Sequence, residues 1–498
     1  MTLGQDAARA TGDAGAPIAA RMIVGGEQVD AADGQTFEIV NPATGNVIAT
    51  APLGGREDVD RAVAAARKAF DDPKGWANWA AGKRGRSLAK LAALVKQHSE
   101  ELAQLETANG GKPITSSRGE VVGASLVFDY YAGAANKVFG QTIPVSKPGI
   151  DMTLREPIGV VGLIVPWNFP ILMASWKLGP ALAAGNACIL KPASYTPLTA
   201  IRLGELALEA GIPAGILNVV TGPGGSAGAS IAAHPGVGKV AFTGETTTGQ
   251  EIMRLASANV KKISLELGGK SPNIVFADAD LAKFAKESPY SVFDNCGQDC
   301  CARSRILVER SAHDELVELF AAATRKVKVG DPLDEATEVG PLVSARQRDR
   351  VRDYIEIGLG EGATVVVGGA APNDPALAGG AYLMPTVFDG ATNDMRIARE
   401  EIFGPVVSVI PFDTEEEALR LANATPYGLS GSIWSRDIGK ALRAAKALQA
   451  GVISVNSNSS VHTEAPFGGY KMSGIGRELG MSAVELYTET KNIFIDLR

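Results

Sequence analysis

From Ile158 onward the chain runs through short apolar segments, IGVVGLIVPW, ACILKPAS, GILNVVTG, KVAFTG and KISLEL, separated by Ala- and Gly-rich stretches of helical character. These segments lack the alternation expected of a strand with one wet face, so they read as parallel strands covered by helices on both sides. A second series starts near residue 272 with NIVFAD, RILVE, TVVVGG, PVVSVIPF, GSIWS and GVISVN. Alternation of this kind dictates an α/β architecture, with ligands expected at the carboxyl ends of the strands.

The 498 residues leave room for about three structural units at a typical domain size. The expected fold is two Rossmann-like α/β lobes plus a small β element. Residues 1–20 read as a disordered lead, and compact structure is expected from about Arg21, where MIVGGEQV and TFEIVNPATG form short strands. Helical periodicity covers about 56–70 and 84–109, the latter stopped by Asn-Gly-Gly, and recurs near 312–327, 345–359, 415–423 and 438–448. LYTETKNIFIDLR reads as a terminal strand, and neither a repeated unit nor a coiled-coil heptad is present.

Charge and cysteine content exclude whole classes of function. Lys plus Arg total 48 against 55 Asp plus Glu, a formal charge of −7, so there is no polycationic field for nucleic acid or an anionic membrane. The first twenty residues lack the apolar core of a secretion signal, and no uninterrupted apolar run has the length of a membrane span. A cytoplasmic, reduced protein is expected. With four Cys and four His, neither a disulfide framework nor a His-rich metal centre fits.

Six places carry candidate chemistry. Cys300 lies in FDNCGQDCCARSR after a glycine that permits a turn; it and Cys301 are either cleft thiols or small buried residues. Glu266, at the strand end of SLELGGK, is either a surface carboxylate or a cleft group whose burial would raise its pKa and fit it to act as a base. Asn168 in PWNFP can offer an amide to a developing oxyanion, while Phe169 and Trp176 are either channel walls or core. Lys191 ends a strand within plausible reach of a ribose or phosphate. TGPGGSAG and FTGETTTG are glycine-bearing turns able to turn backbone N–H groups toward an anion, the second only if Glu245 points elsewhere.

At these residues the sequence resembles the aldehyde dehydrogenase superfamily over about 21–498. The cysteine signature Phe-x-Asn-x-Gly-Gln-x-Cys falls on Phe293, Asn295, Gly297, Gln298 and Cys300, and Glu-Leu-Gly-Gly-Lys on 266–270, 34 residues upstream of the cysteine. PWNFP at 166–170, Lys191-Pro192, EEIFGP at 400–405 and PFGGYKMSG at 466–474 follow in order.

The resemblance implies NAD(P)-dependent oxidation of an aldehyde to a carboxylic acid, with Cys300 as nucleophile, Glu266 as general base, Asn168 with the Cys300 N–H as oxyanion hole and Glu478 as proton relay. It implies cofactor contacts at Ile164, Pro166, Trp167, Lys191, Ser194, Gly224, Gly225, Gly244, Glu245, Leu267, Glu401 and Phe403. It also implies a substrate tunnel bordered by Phe169, Trp176, Asp299, Cys301, Ser459, Val461 and Phe467. No catalytic metal is required, and water is the acyl acceptor. The implied division is a cofactor lobe of 21–140 and 156–266, a catalytic lobe of 267–455, a tunnel loop and return at 456–485, and oligomerisation strands at 141–155 and 486–498 of a homodimer or homotetramer.

Two departures matter. Ser194 stands where NAD-preferring relatives place an acid, leaving NAD and NADP both open, and Glu245 stands where many relatives have serine. Ser459, His462 and Glu464 near the tunnel mouth, and Asp129, Tyr130 and Tyr131 on a preceding helix, would favour a polar, amine-bearing or semialdehyde substrate, or are simply solvated. Two rivals stand beside this reading. A coenzyme A acylating dehydrogenase is disfavoured by Glu266, and a non-catalytic binding protein on the same scaffold is disfavoured by the presence of Cys300 and Asn168.

Overall fold

The computed structural model describes residues 17–498, so most of the expected disordered lead lies outside the described residues. Ordered backbone starts before Arg21: Ile18–Ala19 pairs in parallel with the strand Val47–Pro52, which also pairs with Thr36–Val40. The first large sheet has eight strands in the order Gly474–Ile475, Lys262–Glu266, Lys239–Thr243, Val160–Ile164, Ala187–Lys191, Leu217–Val219, Met22–Val24, Glu27–Val29. Its four inner pairings are parallel and its edges antiparallel. The apolar runs that set the sequence reading are its central strands, and Val160–Ile164 and Ala187–Lys191 are buried at every position.

The second sheet has seven strands, Thr364–Val367, Thr386–Asp389, Val406–Phe412, Arg305–Glu309, Pro272–Val275, Ser430–Trp434 and Val452–Val455, parallel but for the first pair. Each sheet has its own core, one around Leu163, Ile189 and Val240 and the other around Ile274, Leu307 and Val409. A third, three-stranded sheet is antiparallel: Thr142–Ile143, Gly149–Pro157 and Thr488–Asp496, the last two paired along nine residues each. Gly474–Ile475 pairs with Leu265 and Glu266, so the chain returns to the first sheet after completing the second.

The helices follow the periodicity with one correction. The single pattern expected over 84–109 is two helices, Ala81–Gln97 and Ser99–Gly110, broken at His98. His98 leaves helical geometry (φ −96°, ψ 21°), its ring pairs with Glu101, and Ser99 begins the next helix. Apolar spacing is continuous across the break, so periodicity alone could not reveal it. The Asn-Gly-Gly stop is realised by Gly111 at φ 78°. No helix among the described residues is long and apolar enough to cross a membrane.

Leu307 is fully buried in a strand flanked on both sides. Leu307→Ala is expected to cost about 2–5 kcal/mol and lower the urea midpoint, whereas Leu442→Ala at an exposed helix position should stay within about 0.5 kcal/mol of wild type.

Candidate active site

Parallel register lines up the carboxyl ends of the first sheet. Lys191 lies opposite Ile164, Ile164 opposite Phe242, and Thr243 opposite Glu266. The loops that leave these ends carry Pro166, Trp167 and Asn168, then Gly244 and Glu245, then Leu267 and Gly268. Together with Cys300, Glu401 and Phe403 they line a cavity of about 150 Å³. One cavity thus gathers Pro166, Trp167, Asn168, Gly244, Glu245, Glu266, Leu267, Cys300, Glu401 and Phe403 out of the sequence expectation.

Cys300 reaches the cavity through a turn with unusual backbone. The helix Leu281–Phe293 ends in three successive residues of positive φ, Asn295 (48°), Cys296 (57°) and Gly297 (69°). A side chain at Gly297 would place its Cβ 2.2 Å from the Gly404 carbonyl oxygen, so only glycine fits there. Hydrogen bonds hold the turn. Asn295 Nδ2 donates to the Asn168 carbonyl at 2.8 Å, Asn168 Nδ2 donates to the Gln298 carbonyl at 2.9 Å, and Gln298 Oε1 accepts from the Val343 N–H at 2.9 Å. The cysteine turn and the asparagine loop, from different sheets, are thereby tied directly to each other.

Glu266 is buried, and its carboxylate has no hydrogen-bond partner among the described residues other than the Cys300 thiol. Burial, followed by the neighbouring Cys301 and Glu478, pushes its carboxyl well above the usual range, while Lys177 opposes the shift. The Cys300 thiol is also held well above its ordinary value, by its hydrogen bond with Cys301, by burial and by Glu266. The two groups therefore resist being anionic together. Below them Lys177 is ion-paired with Glu478 and donates to Thr243 Oγ1 at 2.7 Å; the second Glu478 carboxylate oxygen has no partner among the described residues.

Across the cavity, Glu401 Oε1 accepts the Gly269 N–H at 3.0 Å, and burial raises this carboxyl to about 7. A Cβ at Gly268 would fall 2.1 Å from Glu401 Oε2, and one at Gly269 2.4 Å from the Cys300 carbonyl oxygen, which explains the paired glycines after the strand. Phe403 (φ 57°) packs edge-on against Trp167, ring centroids 5.1 Å apart. Glu245 is exposed on the cavity wall, near enough to Glu401 to raise it, so any anion at this turn would have to rely on backbone N–H groups.

Other expected residues lie outside this cavity. Lys191 is buried, its Nζ donates to the Pro192 carbonyl at 2.6 Å, and burial lowers it to about 8. Ser194 Oγ donates to the Gly222 carbonyl, while Gly224 and Gly225 face open space. Ile164 is a buried strand end. Trp176 and Phe467 stack with centroids 5.0 Å apart, and Phe467 exchanges two backbone hydrogen bonds with Glu478. Asp299 Oδ1 accepts the Cys301 N–H, and a carboxylate oxygen of Asp299 and the sulfurs of Cys300 and Cys301 lie within 4.8 Å of one another. Ser459, Val461, His462 and Glu464 are exposed.

Four lining residues escaped the sequence reading: Met173, Thr243, Gln347 and Arg350. Thr243 could have been found from its strand-end position. Gln347 and Arg350 belong to the helix Ala345–Gly360, whose charged pattern reads as a surface face; Gln347 Nε2 donates to the Phe403 carbonyl at 2.8 Å.

The glycine cradle at Gly268 yields a direct expectation. Gly268→Ala should displace the Glu401 carboxylate from the Gly269 N–H, as a crystal structure of the variant would show, while leaving the thermal midpoint near wild type. An unmoved Glu401 in that variant would contradict the packing of that wall.

Comparison with known proteins agrees with this geometry. A family model described as the aldehyde dehydrogenase family matches residues 29–493. The chain is 46% identical over 474 residues to betaine aldehyde dehydrogenase of Bacillus subtilis, covering 95% of this chain and 96% of the relative. It superposes with a TM-score of 0.95 and 40% identity on betaine aldehyde dehydrogenase from Staphylococcus aureus in complex with NAD+, covering 100% and 98% of the two chains. An NAD-dependent aldehyde dehydrogenase from Sinorhizobium meliloti gives a TM-score of 0.94 with 44% identity, covering 96% and 95%. Two α/β lobes, a cysteine-bearing cavity between strand ends and these matches along nearly the whole chain have one explanation: the chain belongs to the aldehyde dehydrogenase family and is an NAD(P)+-dependent aldehyde dehydrogenase.

Proposed function

We propose that Cys300 is the nucleophile, Glu266 the general base and Asn168 the oxyanion donor in oxidation of an aldehyde to a carboxylic acid. The observation that carries this reading is the buried Glu266 carboxyl, whose one partner is the Cys300 thiol, in a cavity shared with Cys300 and Asn168. The Cys300 thiolate forms a C–S bond to the carbonyl carbon, and the carbonyl π electrons pass to oxygen, where the Asn168 amide and the Cys300 N–H receive the charge. The thiol first gives its proton to water in the cavity, and because a neutral Glu266 favours the thiolate so formed, the base is in its acid form at this stage. Collapse of the thiohemiacetal oxyanion restores the C=O bond and releases hydride, leaving a thioester on Cys300. Glu266, once deprotonated, takes a proton from water as its oxygen attacks the thioester, and collapse expels the Cys300 thiolate and the acid. Lys177 and Glu478 form a route for the proton away from the base.

The bound nicotinamide would supply the hydride acceptor. The residues fit it: Gly268 lets the Glu401 carboxylate lie close against the backbone, Glu401 and Phe403 border the reacting end, and open backbone at Gly224 and Gly225 can face the diphosphate. Lys191 and Ser194 would meet the adenine ribose. A serine neither repels a 2′-phosphate nor grips the ribose diol as a carboxylate would, which supports use of both NAD and NADP.

For substrate we favour a short polar aldehyde, amine-bearing or semialdehyde in type. Exposed Ser459, His462 and Glu464 in the loop that the resemblance places at the tunnel mouth offer polar and acidic groups to such a substrate. The reading accords with relatives named for betaine aldehyde. Apolar Ile150, Leu154, Phe494 and Ile495 remain exposed on the three-stranded sheet, which supports a homodimer or homotetramer built through it.

Glu266→Gln should keep the initial burst of nicotinamide reduction yet slow steady-state turnover by about 10²–10⁴-fold, and Cys300→Ser should show no burst. A normal steady-state rate in the first variant would remove Glu266 from its role. Since the Glu266 carboxyl is shifted upward, acyl-enzyme hydrolysis in the wild type should accelerate as pH rises through that raised value. The Gln variant should lose this dependence in single-turnover measurements. A panel of aliphatic, aromatic, amino and semialdehyde substrates with NAD or NADP, with and without coenzyme A, tests substrate and acceptor. Turnover that requires coenzyme A would replace water as acceptor.

A further inference from the structure

We propose that Lys112 is a positioning residue for the oxyanion donor, a buried ammonium that fixes the backbone of Asn168 and the ring of Phe169 and is itself held by Glu120. The proposal rests on the reading of Asn168 as the group that receives the aldehyde oxygen's charge.

Lys112 occupies the elbow between the helices Ser99–Gly110 and Ile114–Ala134, which supply Glu106 and Glu120 respectively. It is 3% exposed, is ion-paired with Glu120, and its Nζ donates to the Asn168 carbonyl at 2.7 Å. The same Nζ stands 4.1 Å from the centroid of the Phe169 ring, so two consecutive residues of the asparagine loop meet one ammonium. Asn295 donates to the same Asn168 carbonyl from the opposite sheet's turn. With both acceptor positions of that carbonyl engaged, the peptide that follows Asn168 cannot rotate. The Asn168 amide, already anchored to the Gln298 carbonyl through one N–H, presents its second N–H from a fixed frame.

The surrounding charge is arranged around this one cation. Glu106 accepts from Thr199 Oγ1 with one oxygen, and the second oxygens of Glu106 and Glu120 have no partner among the described residues. Burial raises both carboxyls, Glu120 to about 8, and Lys112 opposes the shift in each. Two desolvated carboxylates are a costly way to build a helix elbow, since apolar residues of similar volume would pack there without penalty. Their presence is explained when the ammonium they retain has work at Asn168.

The test compares full-length wild type with Lys112→Met, Lys112→Arg, Asn168→Ala and the Lys112→Met/Asn168→Ala pair. The substrate is the aldehyde that wild type oxidises fastest, carrying hydrogen or deuterium at the carbonyl carbon. Lys112→Met should lose about 10–100-fold in kcat/KM for aldehyde, with a larger deuterium isotope effect and an unchanged KM for the nicotinamide cofactor. Lys112→Arg, which keeps charge and donor, should recover most of the loss, and the double variant should be no slower than Asn168→Ala alone. Wild-type kcat/KM in Lys112→Met, an equal rise in cofactor KM, or additive losses in the double variant would each overturn the proposal. Wild-type rates in Asn168→Ala would instead overturn the oxyanion assignment. Should Lys112→Met not fold, Glu120→Gln is expected to lower kcat/KM several-fold with the same isotope signature, and an unaltered rate there would be equally fatal.

Discussion

The site depends on hydrogen bonds that cross between the two sheets. Asn168 follows a strand of the first, Cys300 precedes a strand of the second, and their separation is fixed because Asn295 and Gln298 exchange hydrogen bonds with Asn168 rather than with solvent. Amide-to-carbonyl bonds are directional and, once buried, costly to leave unmade. Two independently packed cores can shift against each other by small amounts, and these bonds transmit the register of one to the other at the point where attack geometry matters. The left-handed backbone at Asn295 and Cys296 is the conformational cost of that junction, and strain of this sort persists only where the surroundings over-determine it.

Around the junction the protein keeps ionisable groups away from water and lets them limit one another. Glu266 and Cys300 oppose each other's charge, and Lys177 partly offsets Glu266 while paired with Glu478. A desolvated carboxyl beside a thiol suits a reaction with two demands in sequence, first an anionic sulfur and later an anionic carboxylate. A solvated pair could be ionised together, and the base would then repel the electron-rich oxygen of the first intermediate.

The sheets, most helices and the cavity's main groups were legible because they follow from local pattern. Buried parallel strands are continuous apolar runs, and groups at their carboxyl ends, Asn168 and Glu266 among them, converge by topology. What was not legible depends on contacts distant in sequence. Gln347 and Arg350 look like surface residues until the helix is seen against Phe403, and Lys112 is only the residue after the Asn-Gly-Gly stop until Asn168, 56 residues on, is seen to accept from it. Lys177 lies in an apolar helix where the pattern gives no hint that Glu478, 301 residues later, meets it. The break at His98 was hidden for a related reason, since both helices bury the same face.

The four residues from Glu266 to Gly269 show why cofactor contacts and acyl chemistry are hard to separate in this chain. Glu266 faces the cavity, Gly268 admits the Glu401 carboxylate, and Gly269 donates to that carboxylate while its Cα lies close against the Cys300 carbonyl. Any group that pushes Glu401 must push a backbone that is four bonded residues long, and that backbone carries Glu266 at one end and touches the Cys300 peptide at the other. The strand Lys262–Glu266 is paired on both sides, with Lys239–Thr243 and Gly474–Ile475, so it cannot yield. Displacement is therefore taken up by side-chain rotation, of Glu401 on one side and Glu266 on the other. Glu266, held by the Cys300 thiol alone, has one weak hydrogen bond to break when it turns. A carboxyl so lightly held at the end of a paired strand can rotate without moving the scaffold that holds Asn168.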